Sequence, residues 1–114
     1  KGLELDPTQL NGYSNRGLYH FQTRQYEKAI SDQTNYLKMN PLNYEMYYER
    51  AISKAALGKY QEAIQDFDIA LANVKNKPFF YYERGRSHQA LGNSAAAQRD
   101  FDTAKSMGFT PPAN

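Results

Sequence analysis

The sequence predicts an all-α fold built from stacked pairs of antiparallel helices. The main observation is a period of 34 residues, because Tyr47-Tyr48-Glu49-Arg50-Ala51 returns as Tyr81-Tyr82-Glu83-Arg84-Gly85 and has a weaker copy at 13–17. A second phrase, at 26–32, returns at 60–66 and, less closely, at 94–100. Apolar residues within each unit recur at helical rather than alternating spacing. A fixed period of this size is typical of supersecondary units that stack into one solenoid.

Glycine and proline divide the chain into helices. Gly58 and Gly92 are placed to end helices in the left-handed conformation. Pro41 cannot continue the helix that precedes it. Pro78 suits the first turn of the helix that follows. We therefore expect helices at 10–24, 26–39, 44–57, 60–73, 78–91 and 94–107. The inward positions of the second and fourth helices are expected to be Ala29, Ile30, Tyr36 and Leu37, and Ala63, Ile64, Phe67, Ala70 and Leu71.

These helices group into three repeats, at 10–43, 44–77 and 78–107, followed by a C-terminal tail at 108–114. Residues 1–9 are in phase with the end of an earlier repeat, since Leu5-Asp6-Pro7 lies one period before Met39-Asn40-Pro41. We expect the N-terminal end to derive from a longer array and the more polar last helix to form a natural C-terminal end.

Composition excludes several classes of function. The chain has 114 residues, a formal net charge of +2 and no cysteine, so it offers no disulfide and no thiolate site. The balanced charge argues against nucleic-acid binding, which requires basic residues clustered on one face. No apolar run approaches the roughly 20 residues needed to insert into a membrane.

No catalytic or cofactor-binding pattern is present in the sequence. There is no Gly-x-Ser-x-Gly turn, and the glycines occur singly rather than in a phosphate-binding loop. His20, Lys54 and His88 occupy one column of the repeat, too far apart to share a metal ion, and are interpreted as half-buried packing residues whose polar tips reach solvent. We expect no enzyme activity, no metal site and no cofactor.

Three arginines and three aspartates recur with the period, each pair 16 residues apart: Arg16 and Asp32, Arg50 and Asp66, Arg84 and Asp100. An array of arginines could bind anions. Equal numbers of both signs instead favour ion pairs that join the helices of a hairpin or of neighbouring repeats.

The columns of this repeat resemble those of the tetratricopeptide repeat family. Small residues match at Gly17, Ala51 and Gly85 on the first helices, and at Ala29, Ala63, Ala97, Ala70 and Ala104 on the second. The family's aromatic positions match Tyr13, Tyr47, Tyr81, Phe67 and Phe101, and its terminating proline matches Pro7 and Pro41. Gln33 and Tyr36 depart from the pattern, standing where an aromatic and a small residue are expected. The resemblance implies a right-handed superhelical solenoid whose first helices line a concave groove, serving as a non-catalytic docking scaffold.

The phase of the repeat predicts which side chains line that groove. The predicted partner contacts are Leu18, Phe21, Glu45, Tyr48, Glu49, Ile52, Phe79, Tyr82, Glu83 and Arg86. The same helix faces also carry Asn11, Ser14, Asn15, Gln22, Ala55, Ala56, Gln89 and Ala90. Tyr48 and Tyr82 either anchor the ligand or only pack between neighbouring first helices.

The predicted partner is a protein or peptide segment with apolar and basic residues, because three glutamates lie among aromatic and aliphatic side chains. Family members that bind the C-terminal carboxylate of chaperones resemble one another in a clamp of lysine, asparagine and arginine. The matching positions here are Ser14, Leu18, Glu49, Phe79 and Glu83, which argues against that subtype. The alternative function is self-assembly, in which Tyr13, Phe21 and Ile30 at the N-terminal end stack on a second copy of the chain.

Overall fold

The computed structural model describes residues 7–111 of the chain. Within that range it contains six α-helices: α1 Pro7–Gln22, α2 Tyr26–Met39, α3 Tyr44–Ala56, α4 Tyr60–Asn73, α5 Pro78–Ala90 and α6 Ser94–Ser106. The prediction of six helices in three pairs is therefore confirmed. Helices α2 and α4 have the predicted bounds, and α3, α5 and α6 each end one residue earlier than predicted.

The prediction for α1 was wrong at both ends. The helix already includes Pro7, and proline is compatible with a first helical turn because it lacks only an N–H that this turn does not use. It ends at Gln22, since Arg24 has a positive φ of 63°. The rest of the predicted remnant of an earlier repeat, at 1–6, lies outside the described residues.

The six helices form three hairpins stacked in a row. Each helix packs on the next along the chain, and α3 also contacts α5, so the first helices of neighbouring hairpins are adjacent. The stack measures 43 × 27 × 23 Å. This arrangement places α1, α3 and α5 side by side, where they can share one surface.

The turn inside each hairpin ends with the same hydrogen bond. The N–H of Lys59 donates to the carbonyl of Lys54, and the N–H of Asn93 donates to that of His88, both over 2.9 Å. Gly58 and Gly92 adopt the left-handed conformation that this bond requires, with φ of 80° and 83°. The predicted glycine caps are thus confirmed, and Arg24 adopts the same conformation in the first hairpin at a cost of about 1–2 kcal/mol.

The core is concentrated in the second hairpin and its contact with the third. Of the stripe predicted on α4, Ala63, Phe67, Ala70 and Leu71 are buried and Ile64 is half-buried. On α2, Ala29 and Leu37 are buried, whereas Ile30 and Tyr36 are half-buried. The hydroxyl of Tyr36 accepts a hydrogen bond of 2.7 Å from Asn43 Nδ2, and Asn43 Oδ1 in turn caps α3. A polar link therefore occupies the place of the small residue that the other repeats carry.

Each predicted arginine–aspartate pair is an ion pair within one hairpin. Arg16 Nη2 lies 2.7 Å from Asp32 Oδ1, Arg50 Nε lies 2.9 Å from Asp66 Oδ2, and Arg84 Nη2 lies 2.7 Å from Asp100 Oδ1. The three aspartates are only 2–5% exposed. The ion-pair interpretation is confirmed.

The same arginines also connect successive hairpins. Arg50 Nη1 donates to Thr34 Oγ1 over 3.2 Å, and Arg84 Nη1 donates to Asp68 Oδ1 over 2.9 Å, each reaching the second helix of the preceding hairpin. The guanidinium carbons of Arg50 and Arg84 lie 5.6 and 5.8 Å from the ring centroids of Tyr47 and Tyr81. One side chain thus holds three helices, which fixes how each hairpin stacks on the one before.

We expect alanine to have opposite effects at two equivalent glycines. At Gly85 an added Cβ would lie 2.8 Å from Phe101 Cε1, so Gly85→Ala should lower the free energy of unfolding by about 1–3 kcal/mol. At Gly17 the nearest atom would be Asp32 Cβ at 3.4 Å, so Gly17→Ala should raise it by about 0.5–1 kcal/mol through reduced backbone entropy. Urea unfolding of both variants measures this, and equal signs would contradict the packing described for these positions.

Removal of the arginine should be most costly where the buried aspartate keeps no second cation. Asp66 also lies 2.9 Å from Lys54 Nζ, whereas Arg84 is the one cation paired with Asp100 among residues 7–111. Arg84→Ala should therefore lower the free energy of unfolding by about 3 kcal/mol, and Arg50→Ala by less. Chemical denaturation compares the two, and a larger loss for Arg50→Ala would show that the contact with the preceding hairpin dominates.

Candidate functional site

One face of α1, α3 and α5 borders a continuous groove. Its larger part, of about 480 Å³, lies between α3 and α5 and is lined by Phe21, Ile52, Ala55, Ala56, Tyr60, Glu83, Arg86, Ser87, Gln89 and Ala90. A smaller part, of about 250 Å³, lies between α1 and α3 and is lined by Ser14, Leu18, Phe21, Gln33, Glu49 and Ile52. Phe21 and Ile52 border both parts, so the two depressions adjoin.

Six of the ten predicted contact residues line this groove: Leu18, Phe21, Glu49, Ile52, Glu83 and Arg86. Ser14, Ala55, Ala56, Gln89 and Ala90, which share their helix faces, line it as well. Helical periodicity brings these residues together, because i, i+3, i+4 and i+7 positions lie on one face of each first helix.

Tyr48 is mainly a packing residue. Its ring stacks on Phe80 with centroids 4.2 Å apart and an interplanar angle of 10°, and it also contacts Phe67 and Phe79. Burial raises the pKa of its phenol, and the nearby Glu83 and Glu49 raise it further. Phe79 meets the Tyr48 ring edge-on and keeps part of its own ring exposed.

Tyr82 and Glu45 lie apart from the groove. Tyr82 packs on Phe101 and Phe109 and borders a third depression, of about 610 Å³, at the C-terminal end of the stack. Glu45 is exposed in the first turn of α3, and its Oε2 lies 3.6 Å from Lys77 Nζ. Neither residue lines the two parts of the groove, although the guanidinium carbon of Arg86 lies 5.9 Å from the centroid of the Tyr82 ring.

The groove combines apolar walls with two carboxyl groups that carry little compensating charge. Burial raises the pKa of both Glu49 and Glu83 above its ordinary value; Glu45 adds to the rise at Glu49, and Arg86 opposes it at Glu83. Arg86 Nη1 lies 3.5 Å from Glu83 Oε1, whereas the carboxyl group of Glu49 has no hydrogen bond or ion pair among the described residues. Such a surface can accept hydrogen bonds from a cationic or donor-rich ligand.

Helical phase on the first helices missed Gln33, Tyr60 and Ser87, which also line the groove. Gln33 and Tyr60 belong to second helices, which the groove prediction did not include. The signal for Gln33 was present in the repeat itself, because it stands where the other two repeats carry Phe67 and Phe101.

The column of His20, Lys54 and His88 lies between the paired helices. Lys54 Nζ lies 2.9 Å from Asp66 Oδ2, and His20 Nε2 lies 3.7 Å from Asp32 Oδ2. All three are half-buried, as predicted, but the predicted contact of their polar tips with solvent was wrong: Lys54 pairs with Asp66, His20 faces Asp32, and Nδ1 of His88 is buried. No group of three or more potential metal ligands occurs in the part of the chain that the structure describes. Within that same part, no helix has the length and apolar character of a membrane span.

Comparison with curated proteins finds one relative that matches part of the chain. The Hsp70-Hsp90 organizing protein of Triticum aestivum is 41% identical over 46 residues, which are 40% of this chain and 8% of that protein. The match therefore spans a small part of the relative's length.

Solved structures match most of the chain. The second TPR domain of Spaghetti (RPAP3), bound to the HSP90 peptide SRMEEVD, has a TM-score of 0.82 at 26% identity; the match covers 87% of this chain and 92% of that one. PcrH, in complex with the chaperone binding region of PopB, has a TM-score of 0.84 at 18% identity. This match covers 90% of this chain and 83% of the PcrH chain. These likenesses confirm the predicted right-handed superhelical solenoid.

A family model for the tetratricopeptide repeat matches residues 14–78, which is more than half of the chain. The matched region runs from the middle of α1 to the first residue of α5, and the third hairpin continues the same period. The chain belongs to the tetratricopeptide repeat family and, like its other members, is a non-enzymatic scaffold for protein–protein interaction.

Proposed function

We propose that this module binds a peptide or helix of a partner protein in the groove along α1, α3 and α5, and that the bound segment carries apolar and basic residues. The observation that carries the proposal is a continuous groove with aliphatic and aromatic walls and two half-buried carboxyl groups, Glu49 and Glu83. Apolar side chains of the ligand would pack on Phe21 and Ile52, and its cations would compensate the carboxylates.

The charge of the groove distinguishes the proposed ligand from the peptide seen in a relative. The HSP90 peptide SRMEEVD bound to Spaghetti (RPAP3) carries two glutamates and an aspartate. A ligand of that kind would meet Glu49 and Glu83 here, and the nearby Arg86 already pairs with Glu83. Like charges in a partly desolvated site disfavour binding, so we infer a ligand of the opposite sign.

Self-association is the second candidate function. Tyr13, Phe21 and Ile30, the residues predicted for this contact, are half-buried. The observation in favour of self-association is instead that Leu18 and Tyr19 on α1 are 50% and 58% exposed. The residues equivalent to Tyr19 in the other repeats, Ser53 and Ser87, are buried. A second copy covering α1 would bury this apolar surface.

The groove is tested with a phage-displayed library of random 12-residue peptides selected against the folded chain. We expect selected peptides to be enriched in lysine or arginine among apolar residues, and to bind at least about tenfold more weakly to the double variant Ala56→Arg/Ala90→Arg. Both alanines line the groove and are exposed, so the added side chains obstruct it and repel cations without entering the core.

The matched control is Ala72→Arg/Ala95→Arg, which adds the same charge at exposed positions on α4 and α6. Equal binding by both double variants, or selection of acidic peptides, would contradict the proposal. Sedimentation of the unliganded chain over a range of concentrations, run on the same samples, separates groove binding from self-association.

Binding of a basic peptide should weaken as the pH falls. The peptide binds the ionised carboxylates, and in the free chain Glu49 and Glu83 have pKa values raised above 4.5. The affinity for the peptide should therefore be highest at a pH above these raised pKa values and should fall as the pH drops through them. The charged groups nearby are Glu45 and Arg86, and neither replaces the lost carboxylates. Isothermal titration from pH 7 downward measures the effect, and Glu49→Gln/Glu83→Gln should remove most of the pH dependence.

The free energy of unfolding should depend on pH in the opposite sense through the carboxyl groups of Glu49 and Glu83. Burial disfavours their ionised form, so the folded chain binds protons more tightly than the unfolded chain between the ordinary and the raised pKa. Their contribution to the free energy of unfolding therefore increases as the pH falls through that window. Urea unfolding at each pH serves as the control that a loss of binding is not a loss of structure.

A further inference from the structure

The first repeat lacks an aromatic pair that the other two repeats share. Tyr48 packs on Phe67 with ring centroids 5.8 Å apart, and Tyr82 packs on Phe101 at 5.6 Å. One period earlier, the corresponding residues are Ser14 and Gln33. Two large rings are thus replaced by a hydroxyl and an amide between α1 and α2.

This replacement coincides with the smaller part of the groove. Ser14 and Gln33 line a depression of about 250 Å³ together with Leu18, Phe21, Glu49 and Ile52, which we call the first-repeat pocket. In the second repeat the rings of Tyr48 and Phe67 pack together with Phe80 at the equivalent place. In the third repeat Tyr82 and Phe101 themselves line the depression at the C-terminal end of the stack.

The amide of Gln33 is an unusual floor for this pocket. Gln33 is only 4% exposed, and its Oε1 has no hydrogen-bond partner among the described residues. A buried acceptor without a partner is destabilising, and each such group in a folded protein requires an explanation. Oε1 itself is buried, but Gln33 lines the pocket, so a rotation of the side-chain amide would present this acceptor to a donor that enters the pocket.

The chemistry of the walls identifies the donor. The half-buried carboxyl group of Glu49 and the hydroxyl of Ser14 add acceptors beside Gln33, while Leu18, Phe21 and Ile52 provide an apolar passage. A long aliphatic stem that ends in a cation fits this combination. Arginine fits it better than lysine, because the planar guanidinium presents five donors that can reach several acceptors at once.

We propose that the first-repeat pocket receives one arginine side chain of the bound segment, with its guanidinium donating to the carboxylate of Glu49 and, once the Gln33 amide has rotated, to Gln33 Oε1. This inference deepens the proposed function and rests on it.

The pocket is tested directly by NMR with the small probe N-acetyl-arginine methylamide. We expect saturable shifts of the Leu18 and Ile52 methyl groups and of the Gln33 side-chain amide. The citrulline analogue, which has the same shape without the charge, should bind at least about fivefold more weakly. Glu49→Gln should weaken the arginine probe by a similar factor. No shifts with the arginine probe, or equal binding of both probes, would overturn the assignment.

Ser14→Tyr/Gln33→Phe supplies the second test, because it restores the residues that fill this position in the other repeats. We expect the variant to remain folded and to lose the shifts caused by the arginine probe. With a peptide selected on the parent chain, replacing its essential arginine by alanine should cost about tenfold on the parent and nothing on the variant.

The outcomes separate the two proposals. If Ala56→Arg/Ala90→Arg leaves peptide binding unchanged, the groove proposal fails regardless of the pocket. If peptides depend on the groove but the arginine replacement costs the same on the parent and on Ser14→Tyr/Gln33→Phe, only the arginine assignment fails. Should the double variant not fold, Glu49→Gln with the two small probes still decides.

Discussion

The structure depends on a buried carboxylate that recurs once in each hairpin. Asp32, Asp66 and Asp100 are almost completely removed from water, and each accepts hydrogen bonds from an arginine 16 residues earlier. A buried charge left unpaired is strongly destabilising, so the two helices of a hairpin must keep the register that brings the pair together. Because Arg50 and Arg84 also reach the preceding hairpin, the same constraint sets the stacking of hairpins and therefore the spacing of α1, α3 and α5.

The position of the shared face of α1, α3 and α5 is thus set by the ion pairs between the helices and not by the residues exposed on that face. The polar groups of Glu49 and Gln33 are poorly satisfied in the free chain, since one carboxyl group is partly desolvated and one amide oxygen has no partner among the described residues. The ion pairs between the helices allow the groove to carry groups that are poorly satisfied in the free chain.

The period of the sequence predicted nearly all of the fold, because each repeat supplies the same caps, small residues and ion pairs at the same phase. The groove was only partly predictable. Leu18, Phe21, Ile52 and the two glutamates follow from helical phase, but phase alone cannot say whether an aromatic side chain faces a neighbour or a ligand. Tyr48 finds its partner in Phe80 of the next hairpin, a contact between residues more than 30 positions apart. Gln33 was visible as a departure from the repeat, yet its consequence depends on the space left between helices.

The exceptions to the repeat are concentrated in its first copy. Arg24 adopts the left-handed conformation that glycine adopts in the other two hairpins, Gln33 replaces a buried ring, and Tyr36 replaces an alanine. In a solenoid, stability is roughly a sum over repeats and the contacts between neighbours, so the copy with the poorest local terms opens most easily. Amide hydrogens of α1 and α2 should accordingly exchange through local openings that leave α4 and α5 closed. A ligand held between α1 and α3 would connect the first hairpin, which opens most easily, to the second hairpin, which holds most of the core. It would slow the exchange of the α1 and α2 amides without altering the average structure.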